Sequence, residues 1–264
     1  MKVSIIIPTY NQGKFLDACI ESVLKSDFQD FEIILSDDGS NDVFTQKWLK
    51  NFKNEKCKII FQSNQGVSVA RNKAIEISQG EYILPLDGDD LIHPNYLSEA
   101  VQILDNQNNI DIITCEVELF GAASGKMYLP EISMEQLVCE NCIINTSMYR
   151  RSAYNRTRGY NANMREGLED WDFWIEMLKN GAKIIRLNKV LFYYRIKKVS
   201  RNQSIDLQRY TRLRKQLFMN HQDVFASVFL DPFKTWEYRS VAQSKEFKIG
   251  KILLKPIRKF RNLI

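Results

Sequence analysis

The first 115 residues alternate short β-type runs with segments of helix-compatible length. This rhythm is typical of βαβ units, which build a mostly parallel sheet with helices on both faces. The runs are continuously apolar rather than alternating, which indicates a sheet that is covered on both sides. We therefore predict an α/β fold. The predicted strands are VSIII (3–7), FEIILS (31–36), CKIIF (57–61), EYILPL (81–86) and DIITC (111–115).

Three of these predicted strands end in polar sequence. The polar segments are PTYN (8–11), SDDGSND (36–42) and LDGDD (86–90). In open α/β sheets, ligands bind outside the carboxyl ends of the strands. We therefore expect the three segments to line one crevice.

Asp87, Asp89 and Asp90 place three carboxylates at one strand end. At ~4 Å and an effective dielectric of ~20, two like charges repel by ~4 kcal/mol, so such a cluster favours protons or a cation. Mg²⁺ and Mn²⁺ suit the site, because they take one or two carboxylates and complete their shell with phosphate oxygens and water. The alternative is a solvated Asp-Gly turn, with one Asp capping a helix that Pro94 opens.

The other strand ends are open to two interpretations. Asp38 suits hydrogen bonds from a base or ribose, and Tyr10 beside Asn11 offers a stacking ring and an amide to a nucleoside. The same residue types also form ordinary turns. Arg71, on the third predicted helix, is either a surface arginine or a fixed cation for a base or diphosphate.

The second half of the chain has an α+β pattern. A possible strand lies in IINTSMY (143–149). LEDWDFWIEMLKNGAKIIRL (168–187) predicts a helix with Trp171 and Trp174 on one face, closed by Gly181 and followed by a strand. VLFYYR (190–195) predicts a separate β segment.

We predict one large domain followed by a helical extension. The domain spans residues 1–205, with a nucleotide-binding half (1–115) and an acceptor half (116–205). Residues 206–264 form the C-terminal extension, which is mainly helical.

In their order and spacing, the strand-end motifs, the Arg-Asn pair of the third helix and LEDWDFW resemble glycosyltransferase family 2. The resemblance is dense over residues 1–95 and looser over 140–200. It implies the GT-A fold and a nucleotide-sugar donor, with UDP favoured. It also implies sugar transfer to a hydroxyl of a glycan acceptor in cell-surface polysaccharide synthesis.

The resemblance implies a role for each donor-side residue. Asp38 would lie at the base, and Arg71 near the base or the diphosphate. Asp87 and Asp89 match the family's DxD motif, in which the first serves the ribose or metal shell and the second ligates Mn²⁺ or Mg²⁺. Asp90 is then an extra acid and a candidate helix cap. The implied nucleotide-binding residues are Pro8, Thr9, Tyr10, Asn11, Asp38, Arg71 and Asp87.

Asp170 matches the catalytic base of the family, with Glu169 and Trp171 near the acceptor. Such a base takes the proton of the acceptor hydroxyl and typically contributes ~10² to 10⁴-fold to the rate. Direct displacement by that hydroxyl inverts the anomeric centre. The alternative is that Glu169 and Asp170 are only favourable first-turn acids, an effect worth ~0.3 to 1 kcal/mol.

One position departs from the family pattern. Many relatives have Y-R-x-H-x-x-S where this chain has YRIKKVS (194–200), so Lys197 stands in place of a histidine. A charged ammonium cannot ligate a metal, and Lys197 would therefore pair with the diphosphate. The resemblance thus leaves tight metal dependence in doubt.

The basic residues concentrate at the C-terminus. The whole chain carries +5 and residues 245–264 carry +6, so residues 1–244 carry −1. A nucleic-acid-binding surface is therefore not indicated. The tail has the pattern of a basic amphipathic helix, which we expect Pro256 to break in two.

The tail favours peripheral contact with anionic lipid, since each basic residue near such a surface is worth ~1 kcal/mol. The alternative is a packed terminal helix with a solvated basic face. Lipid contact would make a lipid-linked glycan a plausible acceptor. Without a signal-peptide pattern or a spanning segment, we expect a cytoplasmic protein, at the inner face of the cell membrane if the tail binds lipid.

Two other functions compete with sugar transfer. A non-catalytic nucleotide-sugar-binding protein of the same fold would share the donor motifs. A metal-dependent phosphatase would share the DxD strand end, but the phosphatase motif belongs on the first strand and this one follows the fourth.

Overall fold

The computed structural model describes residues 1–197, 206–229 and 236–261. The strands are β1 (Val3–Thr9), β2 (Phe31–Asp37), β3 (Cys57–Phe61), β4 (Tyr82–Pro85), β5 (Leu91–Ile92), β6 (Ile112–Gly121), β7 (Gly125–Lys126), β8 (Met148–Arg150) and β9 (Ile184–Ile196). The helices are α1 (Gly13–Leu24), α2 (Val43–Asn51), α3 (Val67–Ile77), α4 (Tyr96–Asn106), α5 (Met134–Leu137), α6 (Arg151–Tyr154), α7 (Glu169–Lys179), α8 (Leu207–Asn220), α9 (Gln222–Val228), α10 (Trp236–Gln243) and α11 (Lys245–Arg261).

The strands form one sheet with the order β3-β2-β1-β4-β8-β6-β9-β5, and β7 pairs with β6. β1 pairs in parallel with β2 and β4, and β2 with β3, so the carboxyl ends of these strands lie along one edge. The long β6–β9 pair is also parallel, whereas β8 runs antiparallel to β4 and β6. Most paired residues are therefore parallel, and the predicted α/β class is confirmed.

Helices cover both faces of the parallel part of the sheet. Val3, Ile5 and Ile7 belong to the core cluster that also contains the buried side chains of α1 and α4. Ile6 points to the opposite face and is also buried. On that face α3 packs against β1 and β2. The continuously apolar strands are explained by this double coverage.

The chain divides into two compact units. The first contains residues 1–129 and 143–221, and therefore the whole sheet and α8. The second contains residues 130–142 and 222–264, with α5 and the last three helices. The predicted domain boundary at residue 205 lies outside the described residues.

The structure corrects the prediction of two β segments between residues 184 and 195, because β9 runs through them without a break. Asn188 and Lys189, which stand between the two predicted segments, lie at a shift of register against β6. There Cys115 pairs with Leu187, and the next residue, Glu116, pairs with Val190. A β-bulge absorbs extra residues in this way without ending the strand.

Pro256 does not divide the C-terminal helix, contrary to the sequence prediction. α11 continues from Lys245 to Arg261. A proline removes one backbone N–H donor, and this loss costs about 3 kcal/mol in a helix interior. The residues around it are mostly lysine, leucine and arginine, which favour the helix. Among the described residues, every helix is too short or too polar to span a bilayer.

The turn after β2 depends on Gly39. Its φ of +75° lies in the left-handed region that side chains disfavour. A Cβ atom added there would lie 2.8 Å from the backbone nitrogen of Asn64. The loops that follow β2 and β3 therefore approach each other closely at this glycine.

We expect Gly39→Ala to lower the free energy of unfolding more than Gly181→Ala. Both changes place alanine at positive φ, which costs about 1–2 kcal/mol. Gly181, at φ +83°, has open space around the added Cβ. Only Gly39→Ala meets backbone, and overpacking of this kind adds about 1–3 kcal/mol. Urea unfolding measures both variants, and equal losses would contradict the close approach of the loops.

Candidate active site

Asn11 joins the loops that follow β1 and β2. Its φ is +57°. Its side-chain oxygen accepts hydrogen bonds from the backbone N–H groups of Asn41 (2.8 Å) and Asp42 (3.1 Å). Its own backbone N–H donates to the hydroxyl of Ser40 (2.9 Å). Asn11 therefore stabilises the two loops against each other, and its contact with a nucleoside stays a prediction.

The other predicted nucleoside residues at the end of β1 differ in exposure. Pro8 and Thr9 are buried and lie in register with Ser36 and Asp37 of β2. Among the described residues, the Thr9 hydroxyl has no hydrogen-bond partner. Tyr10 is 43% exposed. The ring of Tyr10 is thus accessible for stacking, and the Thr9 hydroxyl keeps its hydrogen-bonding capacity.

Asp38 fixes the start of α3. One carboxylate oxygen accepts hydrogen bonds from the Gln62 side chain (2.6 Å) and the Gln65 backbone N–H (2.8 Å), and the other accepts from the Gly66 backbone N–H (2.9 Å). The residue is only 4% exposed. Asp38 therefore organises the loop that precedes α3, a task that the sequence did not predict, and its role at the base stays a prediction.

Arg71 of α3 is a buried cation, not a surface arginine. It is 1% exposed, and its guanidinium donates to Asp87 (2.7 Å) and to Glu169 (3.1 Å). It also lies over the ring of Tyr160, with 5.2 Å from the guanidinium carbon to the ring centroid. Burial by itself lowers the pKa of Arg71, but the charges of Asp87 and Glu169 outweigh burial and raise it. One side chain thus connects the end of β4 to the start of α7.

Asp89 is surrounded by protein donors. One carboxylate oxygen accepts a hydrogen bond from the Gln12 side chain (3.0 Å), and the other forms a short ion pair with Lys197. Its backbone carbonyl accepts a hydrogen bond from the Arg195 side chain (2.7 Å). Sequence reasoning gave no role to Gln12, which directly follows PTYN, or to Arg195, which lies inside YRIKKVS.

Asp90 is not a helix cap, contrary to the expectation from the sequence. Its carboxylate accepts a hydrogen bond from the backbone N–H of Arg195 (2.8 Å), and α4 begins at Tyr96. Burial, together with the charges of Asp89 and Asp87, raises the pKa of Asp90 well above its usual range. Asp90 therefore joins the end of β9 to the acidic loop.

The side chains available as metal ligands at this loop fit a divalent ion poorly. Asp89 uses both carboxylate oxygens on Lys197 and Gln12, and Asp87 uses one on Arg71. Among the described residues, no group of three or more His, Cys, Asp or Glu side chains is arranged to hold a metal. In this structure the carboxylates of Asp87 and Asp89 are therefore paired with protein side chains.

The predicted base stands in the first turn of α7. Leu168, just before the helix, has a left-handed φ of +58°, which turns the chain sharply into Glu169. Asp170 is partly exposed, and Trp171 is buried under the guanidinium of Arg214 at 4.5 Å from the ring centroid. Glu169, predicted on the acceptor side, is turned toward Arg71.

Burial raises the pKa of Asp170 to about 6, and the charge of Glu169 adds to this rise while Arg71 opposes it. The charge of Asp87 raises the pKa of Asp170 as well, so the two acids lie within electrostatic reach of each other. A carboxylate with a pKa near 6 is mostly ionised at pH 7 and can still take a proton. These are the properties of a general base.

A second polar cluster holds α7 from its other side, and no sequence pattern predicted it. Asp172 accepts hydrogen bonds from Asn220 (2.6 Å) and lies 3.1 Å from the Nε2 of His221. His221 is 1% exposed, and its Nδ1 lies 3.8 Å from Glu176. The cluster joins the end of α8 to α7 and so fixes the helix that carries Asp170.

The family model for glycosyltransferase family 2, described as "Glycosyl transferase family 2", matches residues 4–168, more than half of the chain. The chain belongs to glycosyltransferase family 2. This result confirms the resemblance drawn from the strand-end motifs. The matched range includes the three strand-end segments and Arg71, and it stops just before Glu169.

Two relatives illustrate the similarity within the family. An uncharacterised glycosyltransferase of Methanocaldococcus jannaschii is 28% identical over 205 residues, which cover 74% of this chain and 70% of the relative. A chondroitin synthase of Escherichia coli is 28% identical over 199 residues, which cover 72% of this chain but only 28% of the synthase.

Solved structures share the GT-A fold with this chain. A fragment of S. aureus TarS in complex with UDP has a TM-score of 0.66 and 23% identity, over 93% of this chain and 76% of that one. A mannosyltransferase of Pyrobaculum calidifontis in complex with GDP-Man and Mn²⁺ has a TM-score of 0.61 and 16% identity, over 98% of this chain and 82% of that one.

We expect Arg71→Met to lower the free energy of unfolding by about 3–5 kcal/mol, because it leaves the carboxylates of Asp87 and Glu169 without their buried cation. Arg156→Met is the matched control. Its guanidinium pairs with Asp111 at 3.1 Å but is 44% exposed. Exposed ion pairs are worth about 0–1 kcal/mol. Urea unfolding of both variants tests the difference. A loss of unfolding free energy in Arg71→Met no larger than that in Arg156→Met would refute the Arg71 bridge, the pair of contacts that joins Asp87 to Glu169.

Proposed function

We propose that this family 2 glycosyltransferase moves a sugar from a nucleotide-sugar to a hydroxyl group of a glycan, with inversion at the anomeric carbon. The observation that carries the proposal is the Arg71 bridge. By holding Asp87 and Glu169 on one guanidinium, Arg71 brings the acidic donor loop next to the residue that precedes the base Asp170. A donor and a catalytic base need this proximity to act on one sugar.

The donor side of the proposed site consists of the strand-end residues. Tyr10 offers its exposed ring to the nucleobase of the donor, and the Thr9 hydroxyl offers it a hydrogen bond. Pro8, Asn11 and Asp38 shape the loops around them. UDP is the favoured nucleotide, since S. aureus TarS was crystallised with it. The GDP-Man complex of the mannosyltransferase keeps a guanine nucleotide as the alternative.

The proposed chemistry is a single displacement. Asp170 accepts the proton of the acceptor hydroxyl, whose oxygen forms the new bond to the anomeric carbon. The bond from that carbon to the diphosphate breaks, and its electron pair leaves with the nucleoside diphosphate. Attack from the face opposite the leaving group inverts the centre, and positive charge near the diphosphate stabilises its departure.

On the acceptor side, Glu169 and Trp171 flank the base in the first turn of α7. The E. coli chondroitin synthase is named for a polysaccharide product, which favours a polysaccharide pathway for this chain as well.

A divalent ion has no step in this mechanism, because the side chains of the acidic loop fit it poorly as ligands.

A non-catalytic nucleotide-sugar-binding protein is the remaining alternative, and the placement of Asp170 argues against it. The phosphatase interpretation loses its support because the family model covers the strand-end motifs. Turnover of a nucleotide-sugar separates the enzyme from the binding protein.

Asp170→Asn is expected to lower kcat by about 10²–10⁴-fold, because the amide cannot take the proton of the acceptor. Donor affinity is expected to stay unchanged, since Asp170 lies on the acceptor side. Asp27→Asn, an exposed site whose carboxylate accepts from Ser98, serves as the matched control. Full activity of Asp170→Asn would overturn the proposed base.

The acidic limb of kcat/KM is expected to have an apparent pKa of about 6, with activity lost as the pH falls below it, because Asp170 must be ionised to act. Glu169→Gln removes a neighbouring negative charge and should move this limb to lower pH. The pH profiles of the two proteins provide the test. A limb that stays in place would contradict the assignment of Asp170 as the titrating base.

We also propose that α11 contacts an anionic membrane surface peripherally, at the cytoplasmic face of the cell membrane. Its described apolar side chains are largely exposed: Phe247, Ile249, Ile252 and Leu253. Lys248 and Lys251 are exposed on the same helix. An exposed apolar and basic helix suits the headgroup boundary of such a membrane. The proposed acceptor is then a lipid-linked glycan.

The double variant Lys248→Gln/Lys251→Gln should weaken binding to phosphatidylglycerol-containing vesicles by about fivefold per charge removed. The control is Lys47→Gln/Lys50→Gln, which removes two exposed lysines from α2. Vesicle co-sedimentation measures both variants. Equal binding of the two variants, or equal binding of the wild type to phosphatidylcholine vesicles, would refute the membrane contact.

A further inference from the structure

We infer that Lys197, held by Asp89, supplies the positive charge that binds the donor's diphosphate, so that this chain binds its nucleotide without a divalent ion. The inference rests on the proposed function and deepens it, because it assigns the residue that stabilises the leaving group.

The first support is the state of the acidic loop. Asp89 gives one oxygen to the Lys197 ammonium and the other to the Gln12 amide. Asp87 is paired with Arg71. Each of these two carboxylates therefore has a cation of the protein beside it. A divalent ion at Asp89 would have to displace the ammonium and would then lie close to its positive charge, an unfavourable arrangement.

The second support is the precision with which Lys197 is placed. Asp90 binds the backbone N–H of Arg195, and the Arg195 side chain donates to the carbonyl of Asp89. The end of β9 is thus fixed against the acidic loop at two points, two residues before Lys197. The ring of Phe15 lies under both cations, 5.0 Å from the Arg195 guanidinium carbon and 5.5 Å from the Lys197 ammonium.

The third support is the capacity of Lys197 to bind a phosphate. Its side chain is 29% exposed, whereas that of Asp89 is 11% exposed. An ammonium group has three N–H donors, so it can keep its ion pair and still donate to a phosphate oxygen. A charge-assisted hydrogen bond to the diphosphate strengthens as the departing group gains negative charge. Lys197 contributes charge and a hydrogen bond, and it transfers no proton.

The test is calorimetric titration of the full chain with UDP and GDP, and with uridine and guanosine, in EDTA and in Mn²⁺. The variants are Lys197→Met, Lys197→Arg and Lys197→His. Lys189→Met is the matched control, since Lys189 lies in β9 and, like Lys197, forms an ion pair, with Glu99 at 2.8 Å. Electron paramagnetic resonance measures the Mn²⁺ bound in the presence of the diphosphate.

We expect the wild type to bind its nucleoside diphosphate equally in EDTA and in Mn²⁺. Lys197→Met should lose about 10- to 100-fold in diphosphate affinity, as for one charge-assisted contact, and keep its nucleoside affinity. Lys197→Arg should retain metal-free binding, and Lys197→His should gain Mn²⁺-dependent binding. The unchanged nucleoside affinity also shows that the variants are folded.

Wild-type binding that needs Mn²⁺, or that Mn²⁺ strengthens tenfold or more, would overturn the inference and leave the proposed function standing. Diphosphate affinity in Lys197→Met equal to that of Lys189→Met would do the same. If neither UDP nor GDP binds under any condition, the proposed donor is wrong, and the inference falls with it.

Discussion

The buried guanidinium of Arg71 is the interaction on which the candidate site depends. It lies between two carboxylates from distant parts of the chain, Asp87 after β4 and Glu169 at the start of α7. A buried charge without partners is costly, so the arginine and the two acids are stable only together. This mutual requirement connects the parallel sheet, which the first half of the chain builds, to the helix that carries Asp170.

The same principle of paired charges extends along the acidic loop. Asp87 and Asp89 have cationic partners. Asp90 accepts a hydrogen bond from a backbone N–H group, and its own pKa is raised. Asp170 is partly exposed, and its pKa is set by burial and by the charge of Glu169 more than by Arg71. An acid whose pKa is raised in this way is suited to accept protons, whereas Asp87 and Asp89 are suited to hold the structure.

Much of the fold could be predicted because it follows from local pattern. The predicted strand CKIIF matches β3 residue for residue, and the strand-end motifs do follow parallel neighbours. The errors arose where long-range pairing decides the outcome. The segment IINTSMY contributes only its last two residues to β8, and the pairing of Asp89 with Lys197 depends on how β9 aligns with the acidic loop. Sequence reasoning found Lys197 but had no means of seeing its partner.

The bulge at Asn188 and Lys189 has a consequence for how such a chain can diverge. Side chains along a strand alternate between two faces, so the number of residues in the bulge determines which face Arg195 and Lys197 occupy. An insertion or deletion of one residue at this exposed point would turn both side chains away from Phe15 and Asp89. The number of residues in this solvent-exposed bulge is therefore constrained by the chemistry at the far end of the strand.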